Sequence, residues 1–395
     1  LNGGEELYLF LLSLIYLAFI SLGLPDSLMG AGWPAMHQAM GVPVSYMGMV
    51  SMVISGGTII SSLLSDRLTR KFGTRVVTVV SVFLTAIALF GFSYCTEFWM
   101  LFLFAVPYGL GAGAIDAALN HYVALHYASK HMSWLHCFWG VGTIISPFIM
   151  SCALSVSVWN TGYRIVSWIQ AGIGLLLLCT LPVWKINQRG DVPQQAKRIG
   201  LIGVWKIKGV VFLLIGFFAY CAMEATAMYW ASSYLVQAKG LAADRAAAFA
   251  SLFYIGLTVG RFLGGFIMDR FGDRKMILLG FCIFLFGPVC LLIPFENEML
   301  SLIGFLIMGF GCAPIYPCII HSTPDNFGAE NSGAIIGIQM ASAYVGTTFI
   351  PPLFGVLGKW IGFEILPFYL ILFAVLMIVM VEKTFRVTRD KRGSF

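Results

Sequence analysis

Apolar runs of membrane-spanning length recur along the whole chain, and polar residues never interrupt them for long. A helix needs about 20 mostly apolar residues to cross the hydrocarbon of a bilayer. Twelve runs qualify: residues 7–37, 43–65, 75–95, 98–127, 132–156, 164–184, 209–236, 246–268, 275–294, 299–322, 332–357 and 363–382. Without water to satisfy N–H and C=O groups, such runs become helices. Of the 395 residues, 59% are hydrophobic and 11% charged, under half the charged share of an ordinary soluble domain. The expected fold is an all-α membrane protein with twelve transmembrane helices.

Connections are short except for "KINQRGDVPQQAKRIGLIGVWKIKG". The chain therefore divides into an N-terminal bundle at 1–184, a cytoplasmic linker at 185–208, a C-terminal bundle at 209–382 and a basic tail at 383–395. The formal charge of +6 is a topology signal. With the N-terminus set in the cytoplasm, Arg67, Arg70, Lys71, Arg75, Lys130, Lys185, Arg189, Lys197, Arg198, Lys206, Lys208, Arg270, Arg274, Lys275 and the tail fall on that side. Only Arg164, Lys239, Arg245 and Lys359 fall opposite, and Arg261 lies inside a helix. Positive short loops mark the cytoplasmic face, so both termini point inward. Charge so placed argues against nucleic acid as a partner, and the expected location is a cell membrane, the bacterial cytoplasmic membrane first. The first run has no small-residue cleavage site and reads as a retained helix. The nine cysteines read as buried thiols. Cys318 with His321 makes no metal set without a second pair of ligands.

The two halves repeat. "YGLGAGAID" aligns with "MGFGCAPIY", so that Gly109 matches Gly309, Gly111 matches Gly311, Ile115 matches Ile315 and His121 matches His321, each displaced by 200 positions. "GVGTIISP" aligns with "YVGTTFIP". Paired six-helix bundles with a site at the midplane between them are the signature of secondary transporters. After the eighth run, Gly265, Asp269, Arg270, Gly272, Arg274 and Lys275 spell G-x-x-x-D-R-F-G-x-R-K. This resembles the loop motif of the major facilitator superfamily, found between the second and third helices of each half. The first copy departs from it: Ser62 replaces the first glycine, and Asp66 stands seven residues before Gly73 where Asp269 stands three before Gly272. The resemblance implies a gating role for Asp66, Arg67, Arg75, Asp269, Arg270, Arg274 and Arg261. Arg261 has two readings, a pair with an acid or snorkelling toward the cytoplasm. Within the superfamily, "AIDAALNHYV", "HMSWLHCFWGVG" and "GRFLGG" resemble the fucose–proton symporter and related sugar carriers.

Three acids fall well inside spans: Asp26, Asp116 and Glu224. A charge at the bilayer centre costs about 2.5–3.5 kcal/mol even on the lenient scale. Lost hydration disfavours the anion, so such groups are candidates to bind and release protons. Asp116 and Asn120, four apart, share a helix face. Around them "GLGAGA" follows no strand, so it reads as close helix packing and not as a dinucleotide loop. Asp26 sits among Gly23, Pro25, Gly30, Gly32 and Pro34, in a half-helix expected to bend or break. The carrier resemblance implies proton coupling and substrate contact for acids in the first and fourth helices. Glu224 is the approximate counterpart in the seventh. A sugar has apolar faces and many hydroxyls, which suit Trp33, Trp139, Trp230, Tyr316, Asn120, His136 and Gln339. Indoles and phenols also belt membrane interfaces, and His136 has the second reading of a packing histidine.

These readings converge on a monomeric symporter moving a sugar or similar small polar solute with protons, sodium being the other possible ion, by alternating access. It needs no cofactor beyond membrane lipid around it, and nothing in the sequence points to an enzyme. Two alternatives stand beside it. One is a proton-driven exporter of hydrophobic compounds, weakened because Ser146 and not glycine precedes Pro147. The other is a receptor or scaffold that moves nothing, which would have little use for buried acids.

Overall fold

A computed structural model describes residues 3–43, 46–184, 201–241, 243–293 and 298–392. These residues are almost entirely helical. In the first half come α1 (Gly3–Asp26), α2 (Leu28–Ala39), α3 (Met47–Phe72), α4 (Thr74–Phe92), α5 (Phe98–His126), α6 (Ser129–Val156) and α7 (Trp159–Cys179). A four-residue α8 (Leu201–Val204) precedes α9 (Val210–Gln237), α10 (Ala243–Phe271), α11 (Asp273–Leu292), α12 (Glu298–Cys312), α13 (Ile315–Phe327), α14 (Ala329–Ile361) and α15 (Leu366–Arg392). By length and composition these make twelve spans, from Glu6–Trp33 to Phe363–Thr388. Most of the expected linker, 185–200, lies outside the described residues. The last helix does not stop where the basic tail was expected to begin but continues to Arg392.

The chain forms two compact units. One takes in Leu1–Tyr122 and Leu135–Arg198; the other takes in Val123–Trp134 and Ile199–Phe395. The turn between α5 and α6 thus belongs to the second unit, a detail that the expected boundary at 184 did not anticipate. Each unit has its own core. Phe19, Phe92 and Tyr163 are fully buried in the first, and Phe217, Phe253, Phe284 and Phe305 in the second. Large apolar side chains also cover the outside, Phe148 at 69% exposure and Trp99 at 65% among them. Such a surface suits lipid and not water.

Two spans are broken. The first separates into α1 and α2 at Ser27, as its prolines and glycines led us to expect. The span Met299–Phe327 separates into α12 and α13 at Ala313–Pro314, where one continuous helix was expected. Prolines have a second effect. Pro25 carries no N–H, so the carbonyl of Ser21 loses its helical donor. The side-chain amide of Gln170 on α7 donates to that oxygen at 2.8 Å. Pro147 likewise frees the carbonyl of Thr143, and the Ser27 hydroxyl donates to it at 2.7 Å.

The two loop copies share one backbone turn despite their different sequences. Gly73 has φ 82° and ψ 148°, and Gly272 has φ 75° and ψ 157°. A side chain is strained in that region, so glycine is required at both. The serine that replaces the first glycine has a packing reason. Ser61, Ser62 and Ser65 on α3 donate to the carbonyls of Gly109, Gly113 and Ala114 on α5, at 3.4, 3.1 and 3.3 Å. The "GLGAGA" string is thus the close-packed face of α5, and Ser62 is part of its seal.

Candidate functional site

Asp26 closes α1, and two other helices of the first unit reach it. The Tyr108 hydroxyl on α5 donates to Oδ1 at 2.9 Å, and the Trp139 indole on α6 donates to Oδ2 at 2.8 Å. Gly23 makes the second contact possible, because a Cβ there would stand 2.1 Å from the Trp139 carbonyl oxygen. Tyr108 is buried while Asp26 stays open over more than a third of its surface. Each carboxylate oxygen therefore has one neutral donor and spare acceptor capacity.

The second acid of this unit is enclosed. Asp116 is 5% exposed, and Asn120 and His136 are buried with it. The Asn120 amide nitrogen donates to Asp116 Oδ1 at 2.8 Å and to the Asp116 carbonyl at 2.9 Å. His136 Nε2 lies 3.1 Å from Asn120 Oδ1. The expected shared face of Asp116 and Asn120 is thus a hydrogen bond. His136 bonds to the Asn120 amide beside Asp116, while Trp139 bonds to Asp26.

In the second unit Glu224 on α9 is ion-paired. Arg261 Nη2 on α10 lies 3.1 Å from its Oε1, with both side chains nearly buried. Of the two readings of Arg261, the acid pair is the one formed, and Glu224 is not an isolated carboxylate. Tyr316 stacks at a tilt on Phe217 and Tyr220, with its hydroxyl donating to the Met340 sulfur at 3.4 Å. Gln339 is fully buried and accepts from Thr323 at 3.1 Å. Trp230 donates to the Pro351 carbonyl at 2.7 Å and packs on Phe354 and Phe363. Trp33 is 3% exposed and packs on His37 and Phe98. The Trp230 indole thus meets a backbone carbonyl, where that of Trp139 meets a carboxylate.

The charged loop residues find partners that spacing did not name. Asp66 binds Arg70 one turn on, at 2.9 Å. Arg274 forks onto Glu382 of α15 at 2.9 and 2.5 Å. Asp269 accepts from the Lys130 backbone at 3.1 Å and faces its ammonium at 3.4 Å. Arg67 and Arg270 are exposed and Arg75 is half-buried. A further cluster centres on Asp273. Its Oδ1 accepts from Ser129 at 2.5 Å, and its Oδ2 lies 2.7 Å from His321 Nδ1. His321 Nε2 lies 3.0 Å from the Tyr127 carbonyl. With Asp273 ionised, both ring nitrogens face pure acceptors, so both donate only in the imidazolium form. Asp273, Glu382 and Tyr108 escaped the sequence reading, since nothing local marks a partner on another helix.

Twelve spans in two units, with acids held inside them, define a multi-pass membrane protein of the transporter class. The model of the Major Facilitator Superfamily matches residues 15–250 and 212–395, and the chain belongs to that family. It is a transporter by family and not an enzyme. It is 27% identical to "Probable nitrate/nitrite antiporter NarK1" of Thermus thermophilus, over 87% of this chain and 86% of that one. It is 24% identical to the 4-hydroxybenzoate transporter PcaK of Acinetobacter baylyi, over 65% of this chain and 64% of the other. Among solved structures, the fold matches FucP, the E. coli fucose:proton symporter, with a TM-score of 0.79 at 15% identity, covering 96% of this chain and 99% of that one. That likeness is one of fold.

Proposed function

We propose that the chain is a proton-coupled secondary transporter that takes up a sugar or similar small polar solute by alternating access. The observation that carries this reading is the pair of acids in the first unit. Asp26 is held by a phenol and an indole, and Asp116 by an amide. Neutral donors stabilise a carboxylate without fixing its charge, so either acid can take a proton and keep its place. Asp26 is open and offers acceptors to hydroxyls beside an indole face. Asp116 is enclosed and suits a proton without a solute. The fucose:proton symporter's fold supports the same reading. The two-unit division supports a linker near 185–208. The loop charges support cytoplasmic termini in a bacterial cytoplasmic membrane, with the second-unit loop residues as a gate.

A second reading has its own observation. Arg261 is a nearly buried cation whose charge Glu224 balances, and two of the relatives above carry anions by name. Protonated Glu224 would leave that guanidinium to a small anionic solute. One experiment separates the two. Purified protein in proteoliposomes is given an acid-outside pH gradient and a panel of fucose, glucose, nitrate and 4-hydroxybenzoate. Concentrative sugar uptake that Asp116→Asn abolishes upholds the first reading. Uptake of the anions alone, lost in Arg261→Gln, replaces it with the second. Accumulation that ignores the gradient removes proton coupling.

A further inference from the structure

We infer that His136 is a positioning residue: its Nε2–H holds the Asn120 amide so that both amide N–H groups point at Asp116. This rests on the proposal that Asp116 is the exchangeable proton site. The inventory of the amide forces the polarity. Asn120 has two donors and one acceptor group. Its nitrogen sits 2.8 Å from a carboxylate oxygen and 2.9 Å from a carbonyl oxygen, both acceptors. The nitrogen and oxygen are therefore not interchangeable here. The remaining oxygen faces His136 Nε2 at 3.1 Å, so that nitrogen carries the hydrogen. The direction of donation runs His136 to Asn120 to Asp116.

The surroundings keep this chain of bonds from being replaced by water. Asn120 is fully buried, and Asp116 and His136 are each 5% exposed. The ring of Phe19 on α1 meets the imidazole edge-on at 5.4 Å. Beside Asp116, Ala114 and Ala118 pack on Val77 of α4 and Leu68 of α3, which bring no charge. Hydrogen bonds link the acid to Asn120 on α5, and Asn120 to His136 on α6.

The consequence concerns the energy of each protonation state. Donation into Asn120 Oδ1 polarises the amide and strengthens its N–H bond to the anion. A protonated Asp116 would prefer the amide turned over, with Oδ1 accepting the acid's O–H. His136 opposes that turn, because its own N–H would then face the amide N–H₂. Removing the imidazole donor therefore favours protonated Asp116, and the acid keeps its proton to higher pH. The histidine acts on the proton without touching it.

The test needs no solute. The full-length protein in lipid nanodiscs is titrated while infrared absorption follows the C=O stretch of protonated carboxyl groups, and Asp116→Asn identifies the band. His136→Phe keeps a ring against Phe19 but has no N–H. It is expected to move the band's midpoint up by about one pH unit, the tenfold change of one lost hydrogen bond to a charge-bearing network. His136→Gln restores an N–H donor and is expected to return the midpoint toward wild type. In an Asn120→Leu background, His136→Phe is expected to add no further shift. A wild-type midpoint in His136→Phe overturns the positioning role while leaving Asp116 as the proton site. A shift that persists in the Asn120→Leu background overturns it too, since the amide is then not the intermediary. If Asp116→Asn removes no titrating band, the proton-site reading falls, and this inference with it.

Discussion

The two units solve the same problem, an acid inside a membrane span, in opposite ways. In the second, Glu224 meets a guanidinium, and the pair is neutral in its resting arrangement. In the first, Asp26 and Asp116 meet a phenol, an indole and an amide, none of which carries charge. An ion pair fixes both partners ionised, because neutralising either strands the other. Neutral donors leave the acid's charge to be set by its surroundings. Under the proposed reading, the difference places structural duty on Glu224–Arg261 and the exchangeable proton on the first-unit acids.

The largest effect expected from this contrast is in the second unit. Arg261→Met leaves Glu224 buried without its counter-charge, and stability should fall by about 3–5 kcal/mol. Thermal unfolding in detergent reads this, and Arg261→Met with Glu224→Leu should recover most of the loss. If the single variant is as stable as wild type, the pair is not what holds α9 to α10. Next, Asp116→Asn should cut pH-gradient-driven uptake more than tenfold while unfolding changes by about 1 kcal/mol or less. A large destabilisation instead would make Asp116 as structural as Glu224 and erase the contrast. Smaller still, Trp139→Phe removes one donor to an open carboxylate and should cost about 1 kcal/mol or less. Its uptake should fall with little change in unfolding temperature. The smallest is Ser62→Gly, which restores the loop motif's first glycine but removes one interhelical bond. A loss of about 0.6 kcal/mol is expected, and a gain would show that the serine ladder adds nothing.

What was legible in the sequence follows from distance along the chain. Span count and helix type were legible because hydropathy acts over about 20 consecutive residues. The Asp116–Asn120 bond was legible because residues four apart on a helix are neighbours. The break at Ser27 was signalled by Pro25 and its glycines, whereas the equal marks at Ala313–Pro314, namely Gly309, Gly311, Pro314 and Pro317, were read only as part of the repeat. Partners on other helices were not legible. Tyr108 and Trp139 lie 82 and 113 residues from Asp26, and Glu382 lies 108 from Arg274. Periodicity gives the face of a helix but not the neighbour it meets. Trp33 and Trp230 illustrate the same limit, since an indole suited to a sugar and one suited to packing look alike until the facing helix is known.

The prolines of α1 and α6 carry one more consequence. Each leaves a carbonyl without its helical donor, and Gln170 of α7 fills one place while Ser27, between α1 and α2, fills the other. The kink beside Asp26 is therefore sutured to α6 and α7 and is not a swivel. Bending α1 further would strip two oxygens of their partners in a medium that supplies no others. Asp26, Trp139 and the stitched segments around them should travel as one rigid piece, so that motion during transport falls elsewhere along the chain.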